Sequence, residues 1–176
     1  MMMYLIDSNC LIEAYRRYYS FDIVPTFWEK FLITYQHSIF LIDKVRDELC
    51  SKSNKHKDEL QLWVEVNCCF KEKVILSNQQ KYVDKYAEIL QFIYDAPQYK
   101  TSSFIEWSNN INKADPWLIA VASIDKFTIV TMEKSDPNLS ASSPTKREPR
   151  IPDICKWFDV ECIDLFELMR RENCIV

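Results

Sequence analysis

The chain has 176 residues, 48% of them hydrophobic, a formal net charge of −4 and no glycine. This length and apolar content suit one domain over residues 1–176 with a sizeable core, and no apolar run is long enough to span a bilayer. Without glycine, neither a Walker A loop nor a dinucleotide-binding Gly-x-Gly-x-x-Gly turn is available, because both need glycine where the backbone closes on phosphate.

The opening run Met3-Tyr4-Leu5-Ile6 reads as a short strand, and Asp7-Ser8-Asn9 turns it into a first helix over residues 8–18. A second helix opens at Val24-Pro25, since proline suits a first helical position. Its Phe27, Trp28, Phe31, Leu32 and Tyr35 fall on one face at helical spacing, a stripe that belongs to a core. A strand over 38–42 follows, and Asp43 caps a helix that holds Val45, Glu48 and Leu49. The basic stretch 52–57 reads as a solvated connection to a helix marked by Leu60, Leu62, Trp63 and Val66.

Residues 73–76 form a short strand or an extended link. A helix over 80–94 places Tyr82, Tyr86, Ile89, Leu90 and Ile93 on one side. Asp115-Pro116 begins an apolar helix over 117–124, with Asp115 as its cap. Residues 127–131 are a nearly unbroken apolar run, as expected of a buried parallel strand. The polar, Ser- and Pro-rich stretch 133–150 reads as a mobile loop. A short helix from Pro152, a strand over 160–163 and a helix over 164–172 close the chain. Strands alternating with helices predict an α/β fold whose parallel sheet is covered on both faces.

The seven cysteines include no Cys-x-x-Cys pair, and only His37 and His56 could join them around zinc. Reduced, mostly buried thiols are therefore expected. The start lacks the basic region and cleavage site of a secretory leader, which gives a cytoplasmic expectation. Two histidines, neither beside a nucleophile in sequence, argue against His-centred acyl transfer.

Four acids recur beside strand ends. Asp7 ends the first strand, Glu48 lies in the helix after the second, Asp115 begins the apolar helix, and Glu133 follows the strand ending at Thr131. Right-handed crossovers would bring all four to one sheet edge, outside the carboxyl ends of the strands where ligands bind. Singly, each has an ordinary role: a helix cap for Asp7 and Asp115, a solvent-facing position for Glu48, a loop position for Glu133. Together they are harder to dismiss. Two carboxylates about 5 Å apart repel by roughly 3 kcal/mol at an effective dielectric near 20, so such a cluster calls for protons or cations. Oxygen donors without thiolate or imidazole favour Mg²⁺ or Mn²⁺. The site then suits phosphodiester hydrolysis, one ion preparing the water and a second stabilising the leaving oxygen. A different chemistry, Asp7 as phosphoryl acceptor, finds Asn9 where a second aspartate is usual.

The segments Ile6-Asp7-Ser8-Asn9-Cys10-Leu11-Ile12, Val45-Arg46-Asp47-Glu48-Leu49, Asp115 with Leu118-Ile119-Ala120 and Ala122, and Val130-Thr131-Met132-Glu133 resemble, in order, the successive motifs of PIN domains. The resemblance spans nearly the whole chain. It implies a three-layer α/β/α fold with a short, mostly parallel central sheet. It also implies Asp7, Glu48, Asp115 and Glu133 as metal-binding catalytic acids, with Asn9 and Thr131 as polar supports. The implied activity is that of an Mg²⁺- or Mn²⁺-dependent endoribonuclease acting on RNA, as in the toxins of VapBC-type toxin–antitoxin pairs. An antitoxin protein is the partner this implies, and a homodimer is a further expectation.

Two departures stand out. Glu133 occupies a position where aspartate is commoner, so its extra methylene would shift it outward. The long loop before Arg150-Ile151-Pro152-Asp153 resembles a larger PIN-like subfamily, with Asp153 either an added acid or an ordinary first-turn aspartate. Lys146, Arg147 and Arg150 are candidate RNA-binding cations, and with the four acids set aside the rest of the chain is formally neutral. The alternative function is a non-catalytic PIN-like module that binds RNA or protein.

Overall fold

In a computed structural model that describes residues 2–50 and 57–176, the strands are β1 (Tyr4–Ile6), β2 (Ile39–Ile42), β3 (Val74–Ile75), β4 (Thr128–Val130) and β5 (Cys162–Ile163). They form one sheet in the order β3-β2-β1-β4-β5. Every pairing is parallel, where the sequence predicted a mostly parallel sheet. β1 and β4 are buried at every position, so both faces are covered and their sequences read as nearly unbroken apolar runs. Residues 52–56 of the basic connection lie outside the described residues.

The chain runs outward from β1 through β2 to β3, then returns to place β4 on the other side of β1. The strand order therefore reverses between β1 and β4, which is where open α/β sheets hold their ligands. Ile6 pairs with Val130, and the Asp7 N–H donates to the Val130 carbonyl at 2.9 Å. Asp7 and Thr131 thus leave the sheet side by side.

The helices are α1 (Ser8–Glu13), α2 (Pro25–Ser38), α3 (Asp43–Leu49), α4 (Glu59–Asn67), α5 (Gln80–Asp95), α6 (Thr101–Ser108), α7 (Ala114–Asp125), α8 (Ile151–Cys155) and α9 (Leu165–Arg171). α1 runs on into a π-helical turn, Ala14–Tyr18, and together they fill the predicted 8–18. Phe27, Trp28, Phe31 and Tyr35 of α2 are buried as their spacing required, with Phe21 and Tyr19 stacked on Trp28 and Phe27. α4 starts on a capping box in which Asp58 and Gln61 satisfy each other's backbone N–H groups. Among the described residues, no helix is long and apolar enough to cross a membrane.

Several local expectations change. Asp43 is the first residue of α3 rather than its cap, and its carboxylate accepts from the Lys44 and Ser77 N–H groups, tying α3 to the end of β3. α6 was not foreseen, because only Ser103 and Trp107 of its eight residues are buried, which leaves almost no periodic signal. The stretch 133–150, expected to be mobile, is pinned to the platform that α6 provides. The Thr145 N–H donates to the Gln98 carbonyl at 3.0 Å, and the Thr145 carbonyl accepts from Lys100 N and from Ser103 Oγ. Polar composition removes the hydrophobic drive but leaves backbone groups free to be matched in this way.

A chain without glycine must use other residues where the backbone turns left-handed. Lys126 closes α7 with φ of 60°, and Asp159 and Asn173 both lie at 53°. A residue with a Cβ is disfavoured there by roughly 1–2 kcal/mol. Lys126→Gly is therefore expected to raise the melting temperature by about 2–3 °C once glycine's greater unfolded-state freedom is set against the relief. Differential scanning calorimetry checks this; a lower melting temperature would mean that the Lys126 side chain itself supports the α7 terminus.

Candidate functional site

Asp7 stands at the N-cap position of α1, yet its side chain makes no capping hydrogen bond. Its Oδ2 instead accepts from Thr131 Oγ1 at 2.8 Å, across the gap between β1 and β4. Its Oδ1 is buried and has no hydrogen-bond partner. An aspartate that is 1% exposed with one carboxylate oxygen unsatisfied is costly unless something else is meant to meet that oxygen. Thr131 also accepts from the Glu133 N–H at 3.2 Å, so one hydroxyl orients two of the acids.

Asp115 lies in the first turn of α7, not at its cap, which is Lys113. It is 9% exposed, and Lys113 Nζ approaches its Oδ2 to 3.4 Å. The same ammonium pairs with Glu148, whose Oε1 also accepts from Trp107 Nε1 at 3.1 Å. Lys113 and Glu148 were missed from sequence. Their signals are faint: a lysine two residues before Asp115, and one acid among the cations of Lys146-Arg147-Glu148-Pro149-Arg150.

Glu48 sits at the exposed rim with both oxygens engaged. Ser8 Oγ donates to Oε2 at 2.8 Å, and the Ala114 N–H donates to Oε1 at 3.1 Å. One carboxylate thereby joins the starts of α1 and α7, and the helix N-termini at which it sits favour its charge. Ser8 is a further residue that sequence reasoning did not single out. Glu133 is half-buried, and its Oε2 accepts from the Ile151 N–H at 2.8 Å, at the start of α8. Both Asp7 and Asp115 feel the Glu133 charge, and Asp7 also feels that of Glu48.

The electrostatic consequence is a set of acids that resist ionising together. Burial pushes Asp7 up to about 6, with the Thr131 hydroxyl and the nearby Asn9 backbone N–H opposing and the Glu133 and Glu48 charges adding. Burial pushes Asp115 up to about 8, with the Asp7 charge next and Lys113 opposing. Glu133 is also raised, by burial first, against the Ile151 N–H. Oxygen donors in excess of nearby positive charge, one of them unpartnered, fit a hard divalent cation in donor type and in charge. Among the described residues, however, no three His, Cys, Asp or Glu side chains already stand together as a metal-holding group. The fit is one of chemistry, with each acid held at present by protein donors.

The other predicted residues are placed as follows. Asn9 is exposed, on the first turn of α1. Asp153 is buried in α8 and faces the strap formed by residues 133–150: its Oδ2 accepts from the Asp136 N–H at 3.0 Å, and Lys156 Nζ lies 3.5 Å from its Oδ1. Its bonds tie down residues 133–150, as a first-turn aspartate would. Arg150 donates to the Lys134 carbonyl at 2.7 Å and closes the base of the same loop. Lys146 and Arg147 are exposed. All seven cysteines are free thiols; Cys10, Cys68, Cys155 and Cys174 are buried, and Cys50, Cys69 and Cys162 are partly so.

No curated protein matches the chain. The crystal structure of VapBC2 from Rickettsia felis, bound to a DNA fragment from their promoter, is similar over 75% of this chain and 88% of that one, with 18% sequence identity and a TM-score of 0.46. A family model described as a domain of unknown function, DUF4411, matches residues 4–176, and the chain belongs to that family.

Proposed function

We propose that this chain is a PIN-like, Mg²⁺- or Mn²⁺-dependent endoribonuclease that acts on RNA in the cytoplasm. The observation that carries the reading is the buried, unpartnered Oδ1 of Asp7 at the point where the sheet order reverses. Asp7, Asp115 and Glu133 would hold the cation, Asp7 through its buried Oδ1. When bound, Mg²⁺ or Mn²⁺ neutralises these acids and supplies Lewis-acid activation of water for phosphodiester hydrolysis. Thr131 fixes the Asp7 carboxylate, while Glu48 holds Ser8 and Ala114 and so locks the starts of α1 and α7 that present Asp7 and Asp115. Lys113, at the edge of this group, offers a positive charge to a phosphate. The toxin role, with an antitoxin protein as partner, rests on the resemblance of the four motifs to PIN domains.

Incubating the chain with single-stranded RNA and millimolar Mn²⁺ or Mg²⁺ should give cleavage products that EDTA abolishes. Intact RNA under every divalent condition would remove the catalytic reading. One observation favours a non-catalytic RNA- or protein-binding module instead: Lys113 already gives Asp115 a built-in counter-charge, and both Glu48 oxygens are satisfied without a metal.

The exposed cations of the strap provide a further test. Replacing Lys146 and Arg147 together with alanine, and leaving the loop-closing Arg150, should weaken binding of a non-cleavable RNA. The slope of log affinity against log salt should fall by about 1.4 if each contacts one phosphate of a single strand. An unchanged slope would show that this face of the loop does not meet RNA.

A further inference from the structure

Cys50 closes the C-terminal end of α3, and Cys69 lies just beyond α4. Their sulfurs are 3.7 Å apart and in hydrogen-bond contact, although the residues are 19 positions apart in sequence. Both are half-buried, whereas Cys10, Cys68, Cys155 and Cys174 are buried. This pair combines sulfur-to-sulfur contact across two elements with partial access from solvent. We infer that Cys50 and Cys69 form a reversible dithiol–disulfide site, oxidised by low-molecular-weight disulfides of the glutathione type.

The approach needed is small: a disulfide bond is about 2.05 Å long, so the sulfurs must close by roughly 1.7 Å from their 3.7 Å separation. Either sulfur can donate to the other, so the contact itself supports a thiolate on Cys69 with Cys50 as the donor. In the first step the Cys69 thiolate attacks a sulfur of oxidised glutathione, forming a mixed disulfide and releasing one glutathione thiolate. In the second, the Cys50 thiol gives up its proton and attacks the Cys69 sulfur. The protein disulfide forms and a second glutathione leaves. Two protein thiols are oxidised and one glutathione disulfide is reduced to two thiols, so electrons and protons balance. The product bonds the end of α3, the helix that carries Glu48, to the end of α4.

The test uses the full chain, reduced with dithiothreitol, desalted and exposed to oxidised glutathione under native conditions, then alkylated and mapped by mass spectrometry. The expected result is loss of two alkylatable thiols, one cross-linked peptide pair containing Cys50 and Cys69, no retained glutathione, and full reversal by dithiothreitol. In Cys50→Ser the resolving thiol is gone, so Cys69 should keep glutathione as a mixed disulfide. If that variant does not fold, the peptide map of the wild type decides alone. Both thiols remaining alkylatable, a linkage between other cysteines, or a Cys50→Ser variant that still loses two thiols would each overturn the assignment. None of these readouts depends on RNA cleavage or on a metal.

Discussion

Asp7→Asn is expected to abolish metal-dependent RNA cleavage, by on the order of 10³-fold or more, and at the same time to stabilise the metal-free protein. The two effects have one cause. Asparagine keeps the shape and can still accept from Thr131 Oγ1, the bond that Asp7 makes at 2.8 Å. What it removes is a buried negative charge held beside Glu133 and Glu48. Asp7 ionises near 6 instead of 3.8 in the folded chain. Its charged form therefore weakens the fold at pH 8 by on the order of 2–3 kcal/mol. Relieving that should raise the melting temperature of the metal-free variant by about 4–8 °C. A stable variant that still cuts RNA at the wild-type rate would end the assignment of Asp7 to the chemistry. A variant that is inactive but melts far lower would show only that Asp7 is needed for folding.

The second large effect is a metal response that depends on pH. Asp7 and Asp115 bind protons more tightly when folded, so their protonation favours the native state. That contribution is fully present below the unfolded value of 3.8 and is lost as pH rises through about 6 for Asp7 and about 8 for Asp115. On this account the metal-free chain loses stability from these two groups as pH climbs from 5 to 8. In the proposed site a divalent cation would replace the protons, and it would bind only the folded chain, in which these acids lie near one another. At pH 8, millimolar Mn²⁺ should raise the melting temperature by about 5–10 °C if it is near 100 times its dissociation constant. At pH 5 the shift should nearly vanish, because protons then occupy the same oxygens. Melts in matched buffers at the two pH values measure it, and an equal shift at both would place the metal elsewhere on the protein.

The fold and the acid positions were readable from sequence to different depths. Asp7 was legible because a short apolar strand, a polar turn and an apolar-periodic helix meet at it, and local pattern determines that arrangement. The role of its side chain was not legible, because Thr131 is 124 positions away and only the parallel pairing of β1 with β4 brings it near. The same limit hid Lys113 and Glu148: the bond to Trp107 Nε1 depends on α6, which has too few buried residues to announce itself. Asp115 was located correctly on the apolar helix but two positions off, since the Asp-Pro pair looks like a cap and Lys113 takes that place. Asp153 shows the reverse case, where an acid near the site in sequence turns to the strap because the backbone of Asp136 offers it a donor.

The most direct test of a metal site centred on Asp7 is calorimetric titration of Mn²⁺ into the wild type and into Asp7→Asn at pH 8, in two buffers of different ionisation enthalpy. The wild type should show saturable binding accompanied by proton release, because Asp115 still holds part of a proton there. The variant should lose at least about tenfold in affinity, the scale on which altering groups at a metal site is felt. Equal affinity in the two proteins, or no saturable binding by the wild type, would contradict a metal site at Asp7.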